Sequence, residues 1–275
     1  MATRVALVTG ASSGIGRVTA VRLAKSGFRV FAACRSADRA KDVLEQVRAQ
    51  SGRDAIELLP LDLGDFSSVR GCAESFLAHD LPLHLLINNA GVAAARGLTR
   101  SGFELAFGVN HLGHFLLTQL LTERILRSAP ARIVTVASNA HYKAQVIDWD
   151  AVRKPTRTIT GIGEYQVSKL CNVLFSAEVG RRLVGGGVNT YALHPGVVAT
   201  DIWRSLPRPL AWLLKLSMIS PEQGSETTLF CATSESVTNE SGRYYDKCRV
   251  KQPSVLAQDA TLAAELWRRS EEWVR

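Results

Sequence analysis

Residues 5–16, VALVTGASSGIG, run from an apolar, β-branched stretch through a glycine loop into a helical pattern. A buried strand that turns directly into a helix opens a βαβ unit, and such a unit needs a parallel sheet around it. Gly10, Gly14 and Gly16 let the backbone turn tightly and approach a ligand closely. The helix start then offers unpaired N–H groups and a positive dipole end. The spacing is not GxGxxG, but the physics of holding a pyrophosphate is the same. A tight turn without a ligand is the plainer alternative. The strand–loop–helix placement at the head of a βαβ chain favours dinucleotide binding.

The remaining chain repeats the alternation. FRVFAAC, AIELLPLDL, LHLLINNAG, ARIVTVAS and VNTYALHPG read as further strands, with GRYYD as one more candidate. Between them lie helical patterns at SADRAKDVLEQVRAQSG, with Ser36 as N-cap and Gly52 at its end, at DFSSVRGCAESFLAH and at GFELAFGVNHLGHFLLTQLLTERIL. A further helix carries Tyr165 and Lys169 to about residue 183, and a helix-rich tail follows. At 275 residues and 46% apolar composition the chain can bury a large core. It shows no linker, low-complexity tract or repeat. The expected fold class is therefore α/β: one domain over residues 1–275, a doubly wound parallel sheet of the Rossmann type with helices on both faces.

The net charge of +8 comes from Lys and Arg spread along the chain, including the pairs Arg181-Arg182 and Arg268-Arg269. Without a basic patch or a motif, a nucleic-acid partner is not expected. A modest pull on anionic ligands or membrane surfaces remains. Cys34, Cys72, Cys171, Cys231 and Cys248 are odd in number and far apart, as reduced thiols of a reducing compartment would be. His111 and His114 have no third ligand in fixed company, so no metal is expected, and a helix-packing role is the reading for both. The N-terminus enters a strand without an apolar leader, and the run PLAWLLKLSMI is broken by Lys215, far short of the roughly 20 residues that span a bilayer. A soluble, cytoplasmic protein is expected.

The second strand should end beside an adenosine ribose, where an acidic residue commonly accepts from the 2′-hydroxyl. Here the slot holds Cys34 and then Arg35. A guanidinium suits a 2′-phosphate, so NADP(H) is favoured and NAD(H) is the alternative, with Asp38 or no residue touching the ribose. Asp62, ending the third strand, could accept from the adenine amino group or simply cap the next helix.

GEYQVSKLCN, residues 163–172, places a tyrosine four residues before a lysine, on one helix face. A free phenol, with a pKa of about 10, exchanges protons poorly at neutral pH, and a neighbouring ammonium is expected to lower it. Lys169 would thus make Tyr165 a better acid and base. Ser138, at the C-terminal end of a parallel strand, stands where such sheets place ligands and could bond a substrate oxygen. Asn110 is an awkward residue inside a helix.

With TGASSGIG, NNAG at 88–91, Asn110, Ser138 and YQVSK in this order, the whole chain resembles the short-chain dehydrogenase/reductase family. NHLGHFLLT, YQVSKLCNVLF, HPGVVATDI and SGRYYDKCRV are similar to its retinol dehydrogenase-like branch. The resemblance implies NAD(P)-dependent interconversion of an alcohol and a carbonyl, with Asn110, Ser138, Tyr165 and Lys169 as the catalytic four. Asn110 would bend its helix and hold a water linking the lysine to solvent. The implied cofactor contacts are Gly10, Ser12, Ser13, Gly14, Ile15, Gly16, Arg35, Asp62, Leu63, Asn89, Ala90, Gly91, Tyr165, Lys169, Pro195, Gly196, Val198 and Thr200. The resemblance also implies a homodimer or homotetramer. Epimerisation or dehydration with a recycled cofactor, and non-enzymatic sensing of NADP(H), are the alternatives on the same scaffold.

After Thr200 the segment DIWRSLPRPLAWLLKLSMIS supplies Trp203, Leu206, Leu210, Trp212, Leu213, Leu214 and Leu216. Residues 201–222 are expected to form a lid. So much apolar surface suits a retinoid-like, steroid-like or long aliphatic substrate. A dimer contact, core packing, or a peripheral membrane contact through 203–219, with Arg204, Arg208 and Lys215 at the headgroups, would use the same residues.

Overall fold

Strand β1 (Val5–Thr9) is buried at all five positions, as a central parallel strand covered on both faces must be. The computed structural model describes residues 3–35, 43, 45–46, 55–197 and 219–275. Beside β1 lie β2 (Arg29–Cys34), β3 (Ile56–Pro60), β4 (Leu85–Asn88), β5 (Ala131–Val136), β6 (Val188–His194), β7 (Arg243–Asp246) and β8 (Arg249–Val250), in the order β3-β2-β1-β4-β5-β6-β7-β8. All neighbours pair in parallel except β7 with β8. The order reverses direction between β1 and β4, which leaves a crevice at the carboxyl ends of those strands.

Side chains alternate across the sheet into two cores. Val5 and Leu7 join one with α2 (Phe66–Leu77), α4 (Ile162–Arg182), α6 (Ala260–Trp273) and the long helix α3 (Leu105–Arg127). Ala6 and Val8 join the other with α1 (Gly14–Lys25) and α5 (Pro221–Thr233). Helices on both faces make the sheet doubly wound, as expected.

Helix α3 is continuous but not uniform. It begins as α-helix at Leu105–Phe107, where Glu104 caps it by accepting from Phe107 N–H, widens to a π-helical turn over Gly108–Leu112, and returns to α-helix over Gly113–Arg127. Asn110 sits in the π turn, so the helix changes its winding where an asparagine was out of place. The candidate strand GRYYD is β7, seated against β6. Strand β8 was not expected. It pairs antiparallel through a turn whose central residues, Lys247 and Cys248, have φ of 52° and 57°.

Helix α6 packs on α3 and α4. Trp267 stacks on Phe175 at 6.2 Å and meets the Phe115 ring at 4.9 Å. His111, wholly buried, touches the Phe107, Phe115 and Phe175 rings and hydrogen-bonds Ser270, which is the helix-packing role expected of it. The expected helix over 36–52, with Ser36 and Asp38, lies outside the described residues except for 43 and 45–46. Val198, Thr200 and the lid residues 201–218 also lie outside them. The end of the proposed lid belongs to α5, because Ser220 and Gln223 form its capping box.

Candidate active site

A cavity of about 1010 Å³ opens at the carboxyl ends of β1 to β6. It brings together Gly10, Ser12, Ser13, Gly14, Ile15, Gly16, Arg35, Asp62, Leu63, Asn89, Ala90, Gly91, Ser138, Tyr165, Lys169, Pro195 and Gly196. Of the expected site residues that are described, only Asn110 is not on its wall. It is fully buried just behind it.

The glycine loop is shaped by close approach. Gly10 and Gly14 have φ of 69° and 52°, open to glycine at little cost. A Cβ on Gly16 would stand 2.3 Å from the Gly10 carbonyl oxygen and 2.4 Å from Asn89 Nδ2. Ser13, at the N-cap of α1, makes no side-chain cap bond, and the first turn carries no acid. The helix therefore presents its first N–H groups and dipole end to the cavity uncompensated, the donor set for a phosphate. This cradle fits a dinucleotide, and Arg35 lines the same cavity.

Asp62 also lines the cavity, and its Oδ1 accepts from Gly64 N–H at 2.9 Å. The alternative that it caps the next helix is corrected here: the cap of α2 is Asp65, which accepts from Ser67 N–H.

Asn110 ties two pieces of the site together. Its Oδ1 accepts from Val92 N–H at 2.8 Å, and its Nδ2 donates to Val92 O at 3.0 Å and to Ser168 Oγ at 2.9 Å. Ser168 Oγ in turn donates to the Tyr165 carbonyl at 2.8 Å. Gly91 lies against this pair, since a Cβ there would be 3.2 Å from Asn110 Oδ1 and 3.6 Å from Lys169 Nζ.

Lys169 is 2% exposed, and its Nζ donates to Val136 O at 2.9 Å. Burial pushes its ammonium down to about 7. Nζ stands 5.7 Å from the centre of the Tyr165 ring. The Tyr165 phenol was expected below its usual range. Burial instead raises it, and the lowering influence is the hydrogen bond with Ser138. The reason is geometric: Lys169 aims at a backbone carbonyl on β5, and desolvation of the phenolate is the larger effect. Ser138 is itself oriented, since its Oγ accepts from Ala140 N–H and its carbonyl is bonded by His141 Nδ1.

Several wall residues were not singled out from sequence. Asn139 N–H donates to His194 Nδ1 at 3.3 Å, and the Asn139 side chain is held by Tyr244 and Asp246 from β7. Burial brings His194 down to about 4, with Asp246 opposing. Val92, Leu98, Leu105, Val109 and Val197 give the cavity an apolar side. Thr9 and His114 also belong to the site. Thr9 Oγ1 accepts from Asn89 N–H at 2.9 Å and Ala90 N–H at 3.0 Å, and it lies 2.8 Å from His114 Nε2. His114 Nδ1 lies 3.0 Å from the Asn110 carbonyl oxygen. The packing role expected of His114 is thus replaced by a hydrogen-bonding one. Its only signal in the sequence was a polar residue one turn after Asn110.

Comparisons with known proteins bear on the family and the fold. A family model described as short chain dehydrogenase matches residues 4–151. Retinol dehydrogenase 11 of Homo sapiens is 42% identical over 96% of this chain and 83% of its own length. A crystal structure of an uncharacterized protein from Mycobacterium paratuberculosis superposes with a TM-score of 0.77, at 32% identity, covering 99% of this chain and 94% of that one. A protein of Beutenbergia cavernae, described as an NAD(P)-dependent gluconate 5-dehydrogenase and solved with bound NADP, superposes with a TM-score of 0.73, at 26% identity, covering 90% and 96%.

Proposed function

Since the chain belongs to the short-chain dehydrogenase family and is an NAD(P)-dependent oxidoreductase acting on CH–OH groups, we propose that it interconverts an alcohol and a carbonyl on an apolar substrate, with NADP(H) favoured. The observation that carries this reading is the Tyr165 phenol, hydrogen-bonded to Ser138 and backed by Lys169 on the wall of the glycine-lined cavity.

The dinucleotide would be held by the α1 N-terminus, Gly10, Gly14, Gly16, Asp62 and the 89–91 peptides, with Lys169 toward the nicotinamide ribose. When bound, its nicotinamide supplies or takes up the hydride. Ser138 Oγ and the Tyr165 hydroxyl converge on the substrate oxygen and stabilise charge developing there. In reduction Tyr165 gives its proton to that oxygen; in oxidation it takes one up. Lys169, held near 7, moves between ammonium and amine at neutral pH and supports the phenolate when protonated. Asn110 keeps the Val92 peptide and the start of the catalytic face of α4 in register.

Tyr165→Phe removes only the hydroxyl. Turnover should fall by about 10²–10⁴-fold while cofactor affinity stays within a few-fold. Near-normal rates would remove Tyr165 from the chemistry. Arg35, on the cavity wall, supports the NADP(H) preference, and Arg35→Asp should shift it toward NAD(H) in a comparison of the two kcat/KM values. The apolar side of the cavity and the likeness to a protein called retinol dehydrogenase support a retinoid-like, steroid-like or long aliphatic substrate. A panel of such aldehydes and ketones, assayed with both reduced cofactors, ranks them. Cytoplasmic residence is part of the same proposal, read by cell fractionation; among the described residues no helix is long and apolar enough to cross a membrane.

A further inference from the structure

His114 and Thr9, 105 positions apart in sequence, meet behind the cofactor-facing wall, and counting hydrogens fixes the state of both. The Asn110 carbonyl oxygen can only accept, so His114 Nδ1 must carry the hydrogen of their 3.0 Å contact. Thr9 Oγ1 has two lone pairs and one hydrogen. The N–H groups of Asn89 and Ala90 fill the lone pairs, which leaves the hydroxyl hydrogen to be given away. His114 Nε2 at 2.8 Å is a better acceptor for it than Ile87 O at 3.3 Å. Only the neutral Nδ1–H tautomer closes the count. An imidazolium would point an added Nε2–H donor at a hydroxyl whose lone pairs are already occupied.

We propose that His114 is a positioning residue: as the Nδ1–H tautomer it fixes the Asn110 carbonyl in the π turn of α3 and, through Thr9, couples that turn to the Asn89 and Ala90 peptides that face the cofactor. This role rests on the reading that Asn110, Tyr165 and Lys169 carry the chemistry. His114 is 1% exposed, and burial, aided by the nearby Lys169, outweighs the Asn110 carbonyl that favours a second proton and brings the ring down to about 4. His111 is the other titratable group in reach, and it too is held neutral by burial. The chain Ala90–Thr9–His114–Asn110 therefore joins the ends of β1 and β4 to the helix that holds Val92 and Ser168.

The first test needs no substrate. Spectra of the protein labelled with ¹⁵N in its histidine rings, with His114→Gln used to assign the signal, should show Nδ1–H and no protonation from pH 8 to pH 5.5. An Nε2–H tautomer or a cation in that range overturns the proposal. The second test uses side chains that reproduce one ring nitrogen each. His114→Asn keeps a donor at the Nδ1 position and loses Thr9; His114→Gln keeps a group at the Nε2 position and loses Asn110. NADPH affinity should fall about tenfold in His114→Asn with kcat reduced less than about threefold, and the reverse should hold in His114→Gln, each being one hydrogen bond. Equal losses in both folded variants would overturn the coupling. Thr9→Val, which removes the shared hydroxyl, should weaken NADPH about tenfold, and Thr9→Ser should restore it. Unchanged affinity in Thr9→Val counts against the proposal. Turnover surviving in Tyr165→Phe would sink the catalytic reading instead, leaving the tautomer result standing on its own.

Discussion

Replacing Lys169 by methionine should make the protein more stable while ending its turnover. The side chain is buried against Val136 and held near 7, against 10.5 for a lysine in water. Between those values the unfolded chain binds a proton that the folded chain does not, so wild-type stability rises with pH across that window. At about 1.36 kcal/mol per pH unit, burying this amine costs about 4 kcal/mol at pH 7 and about 2 kcal/mol at pH 9. Methionine has a similar unbranched stem and helix propensity and carries no charge. It loses the hydrogen bond to Val136 O, worth about 1 kcal/mol, although Asn172 Nδ2 still reaches that carbonyl at 3.2 Å. The variant should therefore gain about 3 kcal/mol at pH 7 and about 1 kcal/mol at pH 9. Guanidinium unfolding of both proteins at pH 7, 8 and 9, with equal m-values, reads the two gaps. A variant no more stable than wild type at pH 7, or a gap that does not narrow on going to pH 9, would refute the claim that burial sets the lysine's ionisation.

Two further variants test the scaffold. Gly16→Ala puts a methyl 2.3 Å from the Gly10 carbonyl, and backbone cannot yield as a side chain can. Stability should drop by about 1–3 kcal/mol and NADPH affinity by more than tenfold, measured by thermal melts and fluorescence titration. Conversely, Lys247→Asn with Cys248→Gly gives the β7–β8 turn the residues its two positive φ angles favour. It should raise stability by about 1 kcal/mol. No gain in the melt would show that the contact of Cys248 Sγ with Thr227 Oγ1 matters more than backbone strain.

The parallel strands were readable because both their faces are buried, which forces unbroken apolar runs such as VALVT. Strand β8 had no such signal. It is two exposed residues, and it exists because Asp246 and Tyr245 offer an edge to pair with. The candidate catalytic positions were legible through fixed local spacing: Tyr165 and Lys169 share a helix face, and Asn110 is a poor helix residue that marks the π turn. What spacing could not convey is where a group points and how dry it is. The i+4 pair suggested a phenol lowered by an ammonium, yet the ammonium nitrogen turns to Val136 and desolvation raises the phenol. Asp62 read as a possible cap until the start of α2 was located at Asp65. The link through His114 was beyond reach of local pattern, because its Nε2 partner, Thr9, comes from β1 and is bonded in turn by the peptides after β4.

Burial acting on both members of the pair has a directional consequence. It lifts the Tyr165 phenol and lowers the Lys169 ammonium, so at neutral pH the exchangeable proton resides on the phenol. A protonated phenol is what carbonyl reduction requires, since the alkoxide formed by hydride addition is a far stronger base than phenolate. Alcohol oxidation requires the phenolate, which burial disfavours. Reduction should therefore be insensitive to Tyr165 ionisation from pH 6 to 9. Oxidation should climb with pH over the same range, because each rise in pH enlarges the phenolate fraction of a group that remains mostly protonated. Initial rates in both directions at saturating cofactor, with stability checked at each pH, read the two profiles. An oxidation rate already level by pH 7 would mean that the phenol ionises easily when the cofactor is in place, and that its burial in this structure does not set the direction of the reaction.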